Sequence, residues 1–190
     1  MSPVAAHLMR HGHPALTGRL LGRTDCAVTA DGIAACVAAA EGLTVERIIT
    51  SDLRRSLGCA EAVADKRGVA VQVDARWREL DFGAWDGLAA DQVPPEALAR
   101  FYDDPDTQPP PGGERWSTLI ARVAAALGGI TQPTLVVTHG GAMRAALAGP
   151  CGLGLRGSWA FDLPYAAVLS LRIWPGAPQT VQITGLRCAD

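Results

Sequence analysis

The sequence predicts an α/β fold: a single three-layer domain with a mostly parallel central sheet and helices on both faces. Three observations carry this. Short apolar runs alternate with Ala-rich stretches along the chain, the pattern of strands joined by crossover helices. The run Thr134-Leu135-Val136-Val137-Thr138 is apolar and β-branched without alternation, as a strand covered on both faces must be. The chain has 190 residues, 48% of them hydrophobic and 19% charged. That suffices for one buried core but falls short of the roughly 250 residues of a (β/α)₈ barrel.

The elements follow in order. Residues 4–10 read as a strand ending at Arg10-His11-Gly12. Residues 12–28 carry Gly12, Pro14, Gly18 and Gly22 and read as a loop. Thr29 is a suitable N-cap for an Ala-rich helix from Ala30 to Glu41, closed by Gly42. Residues 47–50 form a second strand, and Ser51 or Asp52 is expected to cap a helix that runs to Arg67 and stops at Gly68. Residues 69–73 alternate and form a third strand. Residues 86–115 differ in texture, with Pro94-Pro95, Pro109-Pro110-Pro111 and Gly112-Gly113. They predict a surface insertion or lid with one short helix near 95–103. A helix over 117–127 precedes the buried strand 134–138, and another runs from Gly140 to about Ala148. Residues 167–174 and 180–187 alternate and are expected to close the sheet as a strand pair. The whole chain, 1–190, reads as one domain.

Composition removes several classes of function. A net charge of −2 gives no electrostatic reason to expect nucleic acid or an anionic membrane. No stretch approaches the ~18 apolar residues of a membrane span, and no signal-peptide pattern opens the chain. The expectation is a soluble cytoplasmic protein. Five scattered Cys without a CxxC pair read as free, buried thiols in a reducing compartment. The sequence leaves monomer and homodimer both open. The 17 basic residues are Arg except for Lys66, so any anion chemistry must use Arg, His, backbone N–H groups or a metal.

Two segments echo each other: Met9-Arg10-His11-Gly12 and Val137-Thr138-His139-Gly140. Each is a strand that ends in His and then Gly. Ligands of open parallel sheets bind outside the carboxyl ends of strands, so both His fall where a site would form. Arg10 adjoins His11. Arg54 and Arg55 open the helix after the second strand, where guanidinium groups and helix N–H groups suit a phosphate.

These residues and two further segments resemble the histidine phosphatase superfamily, the phosphoglycerate-mutase-like fold. Leu8-Met9-Arg10-His11-Gly12 resembles its Arg-His-Gly signature. Ser51-Asp52-Leu53-Arg54-Arg55 is similar to its Ser-x-Leu-x-Arg segment, which selects Arg55. Arg78-Glu79-Leu80-Asp81-Phe82-Gly83 is similar to its acidic segment, and Val137-Thr138-His139-Gly140-Gly141 to its second His motif. The four occur in family order and span residues 8 to about 148. The resemblance implies a metal-independent phosphomonoesterase without a cofactor, acting on a small phosphate ester. In that scheme His11 is the nucleophile and forms a phosphohistidine. Arg10, Arg55, His139 and Gly12 hold the phosphoryl group. Glu79 is the general acid and base.

The short loop after His11, the pair Leu21-Gly22 and Pro110-Pro111-Gly112-Gly113-Glu114 look like the α-ribazole-5′-phosphate phosphatase branch, which implies a place in cobalamin biosynthesis. They disfavour the mutases, whose loop is longer. His13 stands where the branch has an acidic residue and Arg115 where it has a small one. His13, Thr17, Arg19, Gly22 and Glu114 form the expected substrate rim, with Glu114 alternatively a helix cap. Trp85 and Trp116, flanking the Pro/Gly-rich segment, are candidates to stack on a substrate ring. The competing readings are a mutase-type phosphotransferase, a non-catalytic phosphoester-binding module on the same fold, and a metallohydrolase built on His7, His11, His13 and His139. Against the last, His7 in an apolar strand reads as a core residue.

Overall fold

The computed structural model describes residues 2–174, 176 and 179–188. Its centre is a six-stranded sheet. The strands are β1 (Val4–Arg10), β2 (Arg47–Thr50), β3 (Val71–Val73), β4 (Thr134–Thr138), β5 (Val168–Trp174) and β6 (Thr180–Arg187). Their order is β3-β2-β4-β1-β5-β6. The first four run parallel, and β5 and β6 add an antiparallel edge. The expected mostly parallel α/β domain is the fold observed.

Strand periodicity builds the two faces. Leu8, Ile49 and Val136 point into one core with Leu119, Val123, Leu127 and Met143. These come from helices α4 (Trp116–Gly128) and α5 (Gly140–Ala148), and α3 (Pro95–Asp103) adds Phe101 to the same core. Met9, Ile48, Leu135 and Val137 point the other way, onto Cys36, Ala40, Cys59 and Val63. Those belong to α1 (Ala30–Ala39) and α2 (Arg54–Arg67). Each fully buried Leu, Ile or Val contributes about 1.5–3 kcal/mol. A one-residue slip of any central strand would exchange the two faces.

The register positions the site. Arg10 pairs with Thr138, and Thr50 pairs with Val137. Three parallel strands therefore end side by side, and the next residues are His11, Ser51 and His139.

Local chemistry explains several boundaries. Thr29 caps α1 by accepting the Gly32 N–H. Gly68 closes α2 at φ 67°, a left-handed turn that favours glycine. The expected side-chain cap of α2 is absent: its N-cap is Leu53. Ser51 is bonded to His139 instead, and Asp52 is paired with Arg78. The α1 helix stops at Ala39, before Glu41, as the Glu41 N–H turns to the Ala38 carbonyl. Val69 falls outside β3 because its N–H still closes α2 on the Ala64 carbonyl. A short helix, α6 (Gly154–Ser158), and three 3₁₀ turns between Ala75 and Gln92 went unforeseen. None of the described residues forms a helix long and apolar enough to cross a membrane. The five cysteines are free, but only Cys26, Cys36 and Cys59 are buried. Cys151 is half-buried and Cys188 is exposed.

Candidate active site

His11 follows β1 and is 5% exposed. Its Nδ1 is 2.7 Å from its neighbour's carbonyl oxygen, Gly12 O, which requires the proton on Nδ1 and leaves Nε2 as a free lone pair. Burial pushes the imidazole down to about 3. The Gly12 bond opposes that shift, and the charges of Arg55 and Arg10 add to it. At neutral pH His11 is therefore uncharged and nucleophilic.

His139 follows β4 and is fully buried, with its ring centroid 5.1 Å from that of His11. Its Nε2 lies 2.8 Å from Ser51 Oγ. Burial, then Arg55 and the neighbouring His11, hold it well below the ordinary histidine range.

Arg55 is 0% exposed. Its Nη1 donates to the Thr24 carbonyl at 2.9 Å, and its Nη2 to Leu21 at 2.7 Å and Gly22 at 3.0 Å. Arg54, one residue earlier, is exposed and stands apart. Arg10 donates through Nη1 to Leu163 O at 2.7 Å, with its guanidinium carbon 4.1 Å from the Tyr165 ring centre. The Tyr165 ring also meets His11 at 5.4 Å and His13 at 5.1 Å.

Buried donors without acceptors are rare and call for explanation. Among the described residues the buried side-chain atoms without a partner include Arg10 Nε, Arg55 Nε and His139 Nδ1. Arg10 Nε also lies 3.5 Å from the Cβ position of Gly140, the residue after His139. Two unspent guanidinium N–H groups and an unspent imidazole nitrogen near a neutral His at the N-terminus of α5 make a site suited to an anion.

Glu79 reaches the same helix end. Its carboxylate accepts the Leu80 N–H at 2.8 Å and the Gly141 N–H at 3.0 Å. A Cβ on Gly141 would sit 2.1 Å from Glu79 Oε1, so this approach requires glycine. Gly12 is equally constrained: a Cβ there would lie 2.0 Å from Gly32 O. Its N–H donates to Cys59 Sγ at 3.3 Å, and Cys36 Sγ donates to Arg10 O at 3.8 Å. Two buried cysteines thus underlie the Arg10-His11-Gly12 turn.

Beside Arg10 and Glu79 opens a pocket of about 230 Å³. Its walls include Phe82, Tyr102, Arg144 and Trp159. The expected rim lies elsewhere. Thr17 is exposed, and Arg19 donates to Gly87 O at 2.8 Å. Gly22 serves the Arg55 cradle through its carbonyl. Glu114 neither lines the pocket nor caps α4. It forms a nearly buried ion pair with Arg122 at 2.7 Å. Arg115 is exposed and donates to Asp106 O at 3.3 Å. Of the expected rim, His13 stays beside the cluster through Tyr165 and Gly22 through its bond from Arg55. Trp85 is buried edge-on against Phe101 at 5.8 Å, and the tryptophan that lines the pocket is Trp159, not Trp85 or Trp116. His7 is half-buried and bonded through Nδ1 to Ser170 Oγ at 2.9 Å. Among the described residues no group of three or more His, Cys, Asp or Glu is placed to hold a metal ion.

Sequence reasoning missed Ser51 as a partner of His139, as well as Tyr165, Asp86, Arg144 and Trp159. Two of these carried a signal: Ser51 opens the Ser-x-Leu-x-Arg segment, and Arg144 stands four residues beyond Gly140, one turn up the helix that the second His motif opens.

Comparison with known proteins agrees with this geometry. Residues 6–184 match the histidine phosphatase superfamily (branch 1). A glucosyl-3-phosphoglycerate phosphatase of Mycolicibacterium vanbaalenii is 32% identical over 165 residues, 77% of this chain and 73% of that protein. A probable phosphoglycerate mutase of Salmonella choleraesuis is 31% identical over 147 residues, 70% of this chain and 68% of the other. The solved structure of a mycobacterial glucosyl-3-phosphoglycerate phosphatase superposes with a TM-score of 0.84 at 26% identity, covering 96% of this chain and 97% of that one. Sheet, paired His segments and family match agree, and the chain belongs to the histidine phosphatase superfamily as a phosphoric monoester hydrolase.

Proposed function

We propose that the protein removes a phosphoryl group from a small phosphorylated metabolite by way of a phosphohistidine on His11. The observation that carries this is the set of three unspent nitrogens, Arg10 Nε, Arg55 Nε and His139 Nδ1, near a histidine held neutral with its Nδ1 spent on Gly12. In the first step His11 Nε2 attacks phosphorus as the ester P–O bond breaks, and Glu79 gives its proton to the departing oxygen. In the second, Glu79 takes a proton from water, the water oxygen bonds to phosphorus, and the P–N bond breaks to release inorganic phosphate. Arg10, Arg55 and His139 meet the charge on the equatorial oxygens in both steps. Ser51, by donating to His139 Nε2, fixes the tautomer that presents Nδ1–H to the phosphate.

For the substrate, the motif resemblance to α-ribazole-5′-phosphate phosphatases finds no counterpart among the relatives above. Their names point to esters of phosphoglycerate, and the reading adopted is a phosphoglycerate-type ester with a small leaving group. The pocket of about 230 Å³ lies below the ~300 Å³ at which drug-sized sites begin, which suits such a group. We read segment 86–115 as a covering wall of this single domain, because its helix α3 supplies Phe101 and Tyr102 to the pocket. Water is the proposed acceptor, with transfer to a second hydroxyl as the alternative.

Rapid quenching with ³²P-labelled 3-phosphoglycerate tests the reading. Label that is acid-labile and alkali-stable is expected on the protein, and absent from His11→Ala. Full turnover by His11→Ala would overturn it.

A further inference from the structure

The pocket beside Glu79 contains a cation that the chemistry at phosphorus leaves unused. Arg144 lies on α5 four residues beyond Gly140, about 6 Å along the helix axis. Its Nη1 is held by two carbonyls, Ser158 O at 2.7 Å and Phe161 O at 3.1 Å. Its guanidinium lies 4.0 Å from the Trp159 ring centre. These contacts fix the plane of the group. Among the described residues Nε and Nη2 have no hydrogen-bond partner, and no carboxylate lies within ion-pair distance of Arg144. Neither atom is among the buried orphans, so both remain open to whatever fills the pocket.

A half-buried guanidinium is costly to leave without an anion. Burial and the charge of Arg10 bear against its charged form, and the charges of Asp162 and Glu79, neither in ion-pair contact, offset them only in part. An oriented fork with two free N–H groups matches a carboxylate in two-point contact. On the backbone Arg144 and Gly140 are one helical turn apart, about 5–6 Å, a span of the order of a chain of about three carbons. The remaining walls include the exposed aromatic faces of Trp159, 49% exposed, and Tyr102, 48% exposed, whose ring centres are 5.9 Å apart. They offer contact to the uncharged part of the same group.

We infer that Arg144 is a specificity-determining residue that binds a carboxylate on the leaving group, so that the preferred esters carry a carboxylate about three carbons from the phosphate. This rests on the phosphatase reading above.

The test is a matched pair of esters, 3-phosphoglycerate and glycerol 3-phosphate, which differ in a carboxylate against a neutral CH₂OH. The native protein is expected to favour 3-phosphoglycerate in kcat/KM by ~10-fold or more, the worth of one hydrogen-bonded charge contact. In Arg144→Gln the ratio of the two values should collapse toward one, and Arg144→Lys should restore part of it. Equal kcat/KM for the two esters in the native protein would overturn the inference, as would an unchanged ratio in Arg144→Gln. A second measurement needs no variant: D-glycerate should inhibit p-nitrophenyl phosphate hydrolysis by the native protein more strongly than glycerol does. Equal inhibition also counts against Arg144. Failure of the phosphatase reading itself looks different: none of the three esters would be hydrolysed and no phosphohistidine would form.

Discussion

Arg55 and Asp86 hold the same four-residue loop through its two kinds of backbone group. Arg55 donates to the carbonyls of Leu21, Gly22 and Thr24. The Asp86 carboxylate accepts the N–H groups of Gly22, Arg23 and Thr24. Residues 21–24 therefore act as a spacer that transmits the position of Asp86 to the buried Arg55 guanidinium. The loop is too irregular to hold its own amides, so each end of this chain depends on the other.

Asp86→Asn should accordingly weaken anion binding from a distance. Asparagine keeps the shape but turns an N–H₂ donor toward backbone donors. Loss of one charge-assisted bond costs about 1.5–3 kcal/mol, read as a lower denaturation midpoint in urea. Inorganic phosphate should also inhibit less strongly, because Arg55 loses its fixed seat. Lower stability with unchanged phosphate inhibition would show that Arg55 keeps its place without the loop.

The contact between Glu79 and Gly141 separates activity from stability. Gly141 is in the first turn of α5, where alanine is favoured over glycine by about 1 kcal/mol. The only obstruction to a Cβ that lies below 3 Å is Glu79 Oε1 at 2.1 Å. Gly141→Ala should therefore keep or raise the melting temperature while expelling the carboxylate from the helix end. Loss of a general acid slows turnover by about 10²–10⁴-fold. The loss should be large for alkyl phosphates, whose leaving oxygen needs a proton, and small for p-nitrophenyl phosphate, whose leaving group needs none. Equal losses for both would assign Glu79 another role.

These two cases show what the sequence makes legible. The strand ends, His11, His139 and Arg10 are read directly, because a strand followed by His-Gly puts its next side chain at one sheet edge, whereas the helix start offers Arg54 and Arg55 alike and only the family resemblance selects Arg55. Thr29 and Gly68 announce their caps by local chemistry. Ser51 misleads for a physical reason: a serine before a helix is a suitable cap by local rules, yet a buried imidazole from β4 claims its hydroxyl. Glu114 is drawn away in the same manner by Arg122. The rim is illegible because its members, Trp159 and Tyr102, lie 57 residues apart on short helical elements whose packing no local pattern encodes. Asp86 is hidden likewise, since its three acceptor contacts go to backbone 62 to 64 residues earlier.

The two site histidines also set an acid limit on stability. In the unfolded chain each takes a proton near pH 6.5. In the folded protein burial keeps His11 neutral down to about 3 and His139 neutral well below its ordinary value. Below pH 6.5 the unfolded state therefore binds more protons, and stability falls as pH falls. Each histidine contributes a slope of about 1.4 kcal/mol per pH unit in that window, and neither contributes a slope above it. Asp52, Asp74 and Asp81 are held below the ordinary carboxylate range, and their stabilising contribution is lost only at lower pH. Urea denaturation between about pH 4.5 and 6.5 isolates the histidines. His11→Asn should flatten the slope by about one histidine's share. An unchanged slope would mean that His11 titrates alike in both states.

Tyr165 places Arg10 by its ring and not by its hydroxyl. The Arg10 guanidinium lies over the ring at 4.1 Å while its Nη1 is spent on Leu163 O, which leaves Nε without a partner beside Gly140. Stacking of this kind is worth about 0.5–2 kcal/mol, or about 2- to 30-fold in rate. Tyr165→Phe preserves the ring face and should retain kcat within about twofold. Tyr165→Leu fills similar space without a π face and should lower kcat by the full amount, with KM for the phosphate ester rising because Arg10 is no longer pre-oriented. Equal kcat in the Phe and Leu variants would assign Tyr165 to packing alone. A loss in Phe as large as in Leu would move the role to the hydroxyl. The neighbouring Ala166, at φ 61°, is the one non-glycine with positive φ among the described residues. Its N–H lies 3.2 Å from Arg10 O and 3.3 Å from His11 O, so a backbone that costs about 1–3 kcal/mol to hold is tied to the turn that Tyr165 covers. Ala166→Gly should relieve that strain and raise the melting temperature, and any accompanying fall in kcat would show that the strained turn helps keep Tyr165 over Arg10.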